Sequence, residues 1–116
     1  MTNINSISNK NLIIVLTELQ KKLNDLFSDK LKKIILFGSY ARRDYDSESD
    51  VDVLVIIDDV NIRRHNASLS NIELELFDKY DLLISILPEN ENYFDSNFDQ
   101  LPFFRNVNAE GVLVYG

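Results

Sequence analysis

The sequence has 116 residues, of which 45% are hydrophobic and 27% charged, values typical of one globular domain spanning residues 1–116. A formal net charge of −7 disfavours direct binding of nucleic acid, because general phosphate attraction depends on lysine and arginine. The lack of cysteine excludes disulfides and thiolate metal sites, and no apolar run approaches the ~18 residues that a membrane span needs. Because the N-terminus also shows no signal-peptide pattern, the sequence predicts a cytoplasmic protein.

The first half of the chain predicts one long helix followed by two strands. Apolar residues recur at helical spacing over residues 11–27, which predicts a helix that covers one face of a sheet. A strand over residues 33–37 and a helical turn over Ser39–Arg42 follow. The polar stretch 44–49 reads as a loop, and the apolar run Val51–Ile57 as the second strand.

Residues 62–80 repeat apolar positions at helical spacing and predict a second long helix. Its predicted core stripe is Leu69, Ile72, Leu76 and Phe77. A third strand over residues 82–87 is expected to end at Pro88, because proline cannot continue a central strand.

The C-terminal part predicts a short helix within the polar and aromatic stretch 90–100, and a last helix over residues 103–111 that stops at Gly111. Residues 112–115 are expected to be extended. Together the elements predict an α/β (α+β) fold with a small mixed β-sheet flanked by helices.

The most informative motif is Gly38-Ser39, followed ten residues later by Asp50-Val51-Asp52. Asp50 and Asp52 open a predicted strand, and residues two apart on a strand point to the same side. Two carboxylates held this close repel each other unless a cation lies between them, and Mg²⁺ prefers such oxygen ligands. Gly38 lets the backbone approach a ligand closely, and Ser39 adds a hydroxyl that can donate to a phosphate oxygen. The motif therefore predicts a magnesium site beside a phosphate-binding loop.

Gly-Ser-x10-Asp-x-Asp is also the signature of the DNA polymerase beta-like nucleotidyltransferase superfamily, which the sequence resembles from about Lys32 to its C-terminus. The start Gly-Ser-Tyr-Ala-Arg and the ending Asn-Val-x-x-Glu-Gly-Val-Leu-Val-Tyr are similar to those of minimal nucleotidyltransferases, the antitoxin-type partners of HEPN-domain proteins in two-gene operons. The resemblance implies the polymerase beta-like nucleotidyltransferase fold. It further implies transfer of AMP from ATP to a tyrosine hydroxyl of a cognate HEPN toxin, which silences the toxin.

In active members of this superfamily, a third carboxylate on an adjacent strand completes a site for two metal ions. Asp81, at the start of the third predicted strand, is the candidate here, so that Asp50, Asp52 and Asp81 would be the catalytic and metal-binding residues. Arg42 is expected to brace the triphosphate, since guanidinium suits phosphate geometry. The family usually has glycine or another small residue where Arg43 stands, so a left-handed backbone at Arg43 would carry strain of about 1 kcal/mol.

Two alternative functions remain open from the sequence. A degenerate copy of the fold would neutralise its partner by contact alone, and Asp81 would discriminate, because only an active copy should lose activity on Asp81→Asn. A small-molecule nucleotidyltransferase of the antibiotic-modifying kind usually carries a further domain, for which 116 residues leave little room. A sandwich this small leaves one edge of its site open, which favours a homo- or hetero-oligomer in which a second subunit supplies the acceptor.

Overall fold

A five-stranded mixed β-sheet lies at the centre of the computed structural model, which describes residues 1–116. Its strands are β1 (Thr2–Asn3), β2 (Leu31–Phe37), β3 (Val51–Ile57), β4 (Ile84–Asn90) and β5 (Val112–Tyr115). They lie in the order β1-β5-β2-β3-β4. The outer pairs β1/β5 and β3/β4 are parallel, whereas β2 is antiparallel to both of its neighbours, so the predicted mixed sheet is confirmed.

Five helices surround the sheet: α1 (Lys10–Phe27), α2 (Ser39–Arg42), α3 (Asn66–Tyr80), α4 (Glu91–Asn97) and α5 (Pro102–Glu110). Short 3-10 turns occupy Ile4–Ser6, Ser28–Lys30 and Ile62–His65. The side chain of Asn9 accepts a hydrogen bond from the N–H of Leu12 and so caps the start of α1. None of the helices combines the length and the apolar composition that crossing a membrane requires.

Alternate residues of the sheet supply two separate hydrophobic cores. On one face, Val53 and Val55 of β3 pack with the buried residues of α1 and α3. On the other face, Leu54 and Ile56 pack against Phe94 of α4 and the buried residues of α5. Strand β3 is therefore apolar at the successive positions 53–56, because helices cover it on both sides. Asp52 lies on the face covered by α4 and α5, since it alternates with Val51 and Val53.

Pro88 does not end the third predicted strand, which runs from Ile84 to Asn90 with Pro88 opposite Val55. The prediction failed because β4 is the edge strand of the sheet. The N–H of Ile86 donates to Glu73 Oε2 at 2.8 Å instead of to β3, and residues two apart on a strand direct their N–H groups to the same side. The backbone nitrogen of Pro88 therefore faces the open edge of the sheet, where no neighbouring strand needs an N–H donor.

One further expectation, on the core stripe of α3, is corrected. Phe77 is 42% exposed and is not part of the core, because it follows Leu76 by about 100° around α3 and turns away from the sheet. The extended conformation predicted for residues 112–115 is confirmed, and these residues form the internal strand β5, which lies between β1 and β2. The predicted bounds of α2 and of β3 are also confirmed.

Candidate active site

Gly38 and Asp52 are in direct contact at the end of the β2/β3 pair. Phe37, the last residue of β2, pairs with Asp52, so Gly38 leaves the sheet beside the Asp52 side chain. The backbone of Gly38 has φ 76°, which side-chain-bearing residues rarely adopt. A Cβ at this position would lie 2.4 Å from Asp52 Oδ2. Only glycine, therefore, allows the Asp52 carboxylate to lie against this turn.

The turn after Gly38 is the short helix α2. The N–H groups of Ala41 and Arg42 donate to the Gly38 carbonyl at 3.1 and 3.0 Å. Arg43 ends α2 in the left-handed region, at φ 68°, as the comparison with smaller residues at this position implied. Its guanidinium points away from Asp52 and donates to the carbonyl of Ser6 at 2.8 Å. Arg43 therefore anchors the N-terminal segment, whereas Arg42 remains beside the carboxylates.

The electrostatics of Asp52 indicate a site that favours a cation. Burial of its half-buried side chain and the nearby charge of Asp50 raise the pKa of Asp52 above its ordinary value, and the positive charge of Arg42 opposes the rise. The structure thus places both Asp50 and Arg42 close enough to Asp52 for their charges to act on it. Two carboxylates whose charges oppose each other suit Mg²⁺, which accepts oxygen ligands and keeps waters and phosphate oxygens as its other partners.

Arg42 is held by two carboxylates at the rim of this site. Its Nε donates to Asp44 Oδ2 at 3.1 Å, and its Nη1 lies 3.7 Å from Glu110 Oε2 of α5. All three side chains are about half exposed, so each ion pair contributes little to stability and is easily exchanged for another anion. Asp44 and Glu110 consequently occupy positions around the guanidinium that phosphate oxygens would take.

A cleft of about 380 Å³ opens between α2 and α5 beside Asp52. Helix α5 contributes Phe103, Asn106, Val107 and Glu110, which are spaced i, i+3, i+4 and i+7 and therefore share one helix face. The full lining of the cleft is Phe37, Gly38, Ser39, Arg42, Asp52, Phe103, Asn106, Val107 and Glu110. The sequence prediction missed the α5 side of the cleft. The helical spacing was visible, but only the sheet topology shows that α5 covers the Asp52 face.

Asp81 does not lie where the sequence placed it. It ends α3 in the left-handed region, at φ 53°, three residues before β4 begins, and it lines a different cavity together with Tyr80 and Leu82. No three acidic or histidine side chains in residues 1–116 are grouped so that they could hold a metal ion. The β4 residue that pairs with Asp52 is Ser85, and paired residues of neighbouring strands share a face. The β4 residue opposite Asp52 is therefore a serine and not the carboxylate that was expected at Asp81.

Known proteins are similar to this chain in sequence. A family described as "Nucleotidyltransferase domain" matches residues 16–108, which include both halves of the Gly-Ser and Asp-x-Asp motif. Two proteins of Methanocaldococcus jannaschii, named "Putative protein adenylyltransferase" MJ0604 and MJ0141, are 38% and 42% identical to this chain over 98 and 74 residues. The matches cover 84% of this chain and 92% of MJ0604, and 64% of this chain and 75% of MJ0141.

Solved structures share the fold. A toxin-antitoxin crystal structure with AMP-PNP superposes with a TM-score of 0.61 at 21% identity, covering 87% of this chain and 73% of that one. A complex of tri-AMPylated Shewanella oneidensis HEPN toxin with MNT antitoxin gives a TM-score of 0.57 at 20% identity, covering 89% and 71%. These likenesses confirm the polymerase beta-like nucleotidyltransferase fold. Together with the sequence match over residues 16–108, they show that the chain belongs to the nucleotidyltransferase domain family.

Proposed function

We propose that residues 1–116 form a single minimal nucleotidyltransferase domain that transfers AMP from ATP to a hydroxyl group, most simply a tyrosine, of a cognate HEPN toxin and so acts as its antitoxin. The observation that carries the proposal is the contact of the Asp52 carboxylate with the Gly38 turn, with Asp50 and Arg42 beside it. The relatives named as protein adenylyltransferases support AMP as the transferred group. The structural neighbour that contains an AMPylated HEPN toxin supports such a toxin as the acceptor.

In the proposed reaction, the residues of the cleft hold ATP and leave the α-phosphorus open to attack. Gly38 and Ser39 bind the outer phosphates through the free N–H groups at the start of α2 and the Ser39 hydroxyl. Arg42 exchanges Asp44 and Glu110 for phosphate oxygens. The acceptor oxygen forms a bond to the α-phosphorus, the bond from that phosphorus to the bridging oxygen breaks, and pyrophosphate leaves. The acceptor proton passes to solvent.

Asp50 and Asp52 are the residues that would hold Mg²⁺. When bound, the ion supplies neutralisation of the charge on the α-phosphate. Two carboxylates suffice for one ion, whose other ligands are waters and phosphate oxygens. The second ion that the sequence predicts would need a further ligand, because Asp81 is not grouped with this pair and Ser85 offers only a hydroxyl.

The test uses α-labelled ATP and Mg²⁺ with a HEPN protein encoded beside this chain. We expect label on the partner with the wild-type chain and at least about 100-fold less with Asp52→Asn, because misplacing the reacting atoms alone costs that much. The matched control is Asp95→Asn on α4, which removes one exposed carboxylate outside the cleft and should leave labelling unchanged. Equal labelling by Asp52→Asn and the wild type would refute the proposed site.

One observation favours the second candidate function, a binding antitoxin without catalysis. Ser85, and not a carboxylate, is the β4 residue opposite Asp52, and no group of three acidic residues forms elsewhere. If the partner is inhibited in a stable complex but carries no label, this reading replaces the enzymatic one. If Ser85→Asp then introduces labelling of the partner, the lack of a third carboxylate is the reason that the wild-type chain does not transfer AMP.

A further inference from the structure

The α5 wall of the cleft carries chemistry that phosphate binding does not use. Phe103, the second residue of α5, is 40% exposed, whereas the adjacent Phe104 is buried. The Phe103 ring meets Phe37 edge to face, with ring centroids 5.3 Å apart, and both residues line the cleft with Gly38. The Phe103 ring also lies against Phe104, with centroids 5.7 Å apart. An aromatic ring that its neighbours hold in place and that is open to a cleft offers a surface for stacking.

The two ends of α5 match the two ends of a nucleotide. Glu110 lies at the phosphate end, where it contacts Arg42, and Phe103 lies seven residues earlier on the same helix face. Seven residues span about 10 Å along a helix, which is comparable with the reach of ATP from its outer phosphates to its base. Between them, Asn106 is the only residue lining the cleft whose side chain carries an amide donor and an amide acceptor together.

We propose that this wall of α5 is the nucleobase subsite, in which Phe103 stacks on the base, Phe37 supports the Phe103 ring, and Asn106 contacts the base edge. The inference rests on the proposed function in one respect, namely that a nucleoside triphosphate binds with its phosphates at Gly38 and Arg42. Stacking on an aromatic side chain tolerates any base. An amide can make a paired donor and acceptor contact with adenine, so Asn106 would give preference to ATP over GTP.

The test compares the affinities for ATP and for inorganic tripolyphosphate, each with Mg²⁺, by titration calorimetry. Phe103→Ala should weaken binding of ATP about tenfold and leave binding of tripolyphosphate unchanged, because only ATP carries a base. Unchanged tripolyphosphate affinity also shows that the variant is folded. Phe98→Ala is the matched control, since Phe98 is equally exposed and lies outside the cleft, and it should bind both ligands as the wild type does.

A second variant reports stacking directly. The chain contains no tryptophan, so Phe103→Trp introduces a single indole whose emission should fall when ATP binds and stay constant when tripolyphosphate binds. Asn106→Ala should reduce the preference for ATP over GTP without affecting tripolyphosphate. An unchanged ratio of ATP to tripolyphosphate affinity in Phe103→Ala would overturn the subsite.

These titrations are independent of catalysis. The subsite can fail while labelling of the partner proceeds, and it can hold in a protein that binds ATP without transferring AMP. If the wild-type chain binds ATP no more tightly than tripolyphosphate, the base makes no contact and the inference is wrong whatever the outcome of the transfer assay.

Discussion

At Gly38, one hydrogen atom in place of a side chain determines where a carboxylate can lie. The contact with Asp52 Oδ2 leaves no room for a methyl group, and the positive φ adds strain of about 1–2 kcal/mol to any other residue. We expect Gly38→Ala to lower the free energy of unfolding by about that amount and to reduce nucleotidyl transfer about 100-fold, because the carboxylate must move.

Urea unfolding and the labelling assay measure the two effects separately. Ser39→Ala provides the comparison, since it removes a hydroxyl from the same turn but introduces no clash, and it should keep wild-type stability. A Gly38→Ala protein that transfers AMP at the wild-type rate would contradict the role given to this contact.

Arg43 allows the cost of a left-handed backbone to be measured. Both Arg43→Ala and Arg43→Gly lose the hydrogen bond to the Ser6 carbonyl, so the difference between them isolates the backbone. At φ 68° we expect the alanine variant to be less stable than the glycine variant by about 1 kcal/mol in urea unfolding. Equal stabilities would mean that the turn relaxes to a negative φ once the arginine is removed.

The candidate site residues show how much of a site the spacing of residues along the chain can predict. Gly38, Ser39, Asp50 and Asp52 belong to one short stretch that folds back on itself, so their proximity follows from two adjacent strands and the turn between them. Asp81 belongs to another part of the chain, and its position depends on where α3 ends and β4 begins. Because α3 ends at Tyr80 and β4 begins only at Ile84, Asp81 lies outside the sheet and Ser85 is the residue opposite Asp52.

Among the elements, the edge strand β4 depends on a side chain from α3. Glu73 is half-buried and accepts the outward N–H of Ile86 at 2.8 Å, which would otherwise lack a protein partner. We expect Glu73→Ala to lower the free energy of unfolding by about 1.5 kcal/mol, the lower end of the range for a hydrogen bond to a charged group. It should also promote self-association through the exposed edge.

Glu75 is the matched control on the same helix. It forms an ion pair with Lys22 at the surface, and its side chain is 58% exposed, so Glu75→Ala should cost no more than about 0.5 kcal/mol. Chemical unfolding gives both values, and light scattering reports association. Equal losses in the two variants would show that Glu73 acts only as a surface charge.

Elements bounded by local signals were predictable, whereas elements defined by their neighbours were not. Strand β3 is apolar at every position except Asp52 and lies between polar segments, and α2 follows a glycine, so both bounds were correct. The extent of β4 past Pro88 depends on its being an edge, and the internal position of β5 depends on pairing with β2. Neither property can be predicted from the residues of the strand itself.

At the scale of the whole molecule, the end of β3 remote from the candidate site contains the most perturbed carboxylate. The hydrogen bond with His65 is the main cause that lowers the pKa of Asp59 to about 2, and the Asn61 N–H and Arg64 contribute further. The His65 ring also packs edge to face on Phe27, with centroids 4.8 Å apart, so the cluster joins the end of α1 to the turn after β3.

Because the folded pKa of Asp59 lies below its ordinary value of 3.8, this cluster stabilises the fold fully above about pH 4 and loses its contribution as pH falls towards 2. Asp59→Asn should therefore have a lower Tm than the wild type at pH 7, and the difference should shrink between pH 4 and pH 2. Asp95→Asn, which lacks such a cluster, should follow the wild type throughout. A difference in Tm that stays constant down to pH 2 would contradict this assignment.

The position of β5 has a consequence for the order in which the sheet is completed. Strand β2 is synthesised early, and its partner on one side, β5, comes after every other strand and helix. Until then, the apolar edge formed by Ile34, Ile35 and Leu36 has no neighbour on that side and can pair with a strand of another chain. We therefore expect a chain that lacks Val112–Tyr115 to be more prone to aggregate than one in which β5 covers this edge of β2.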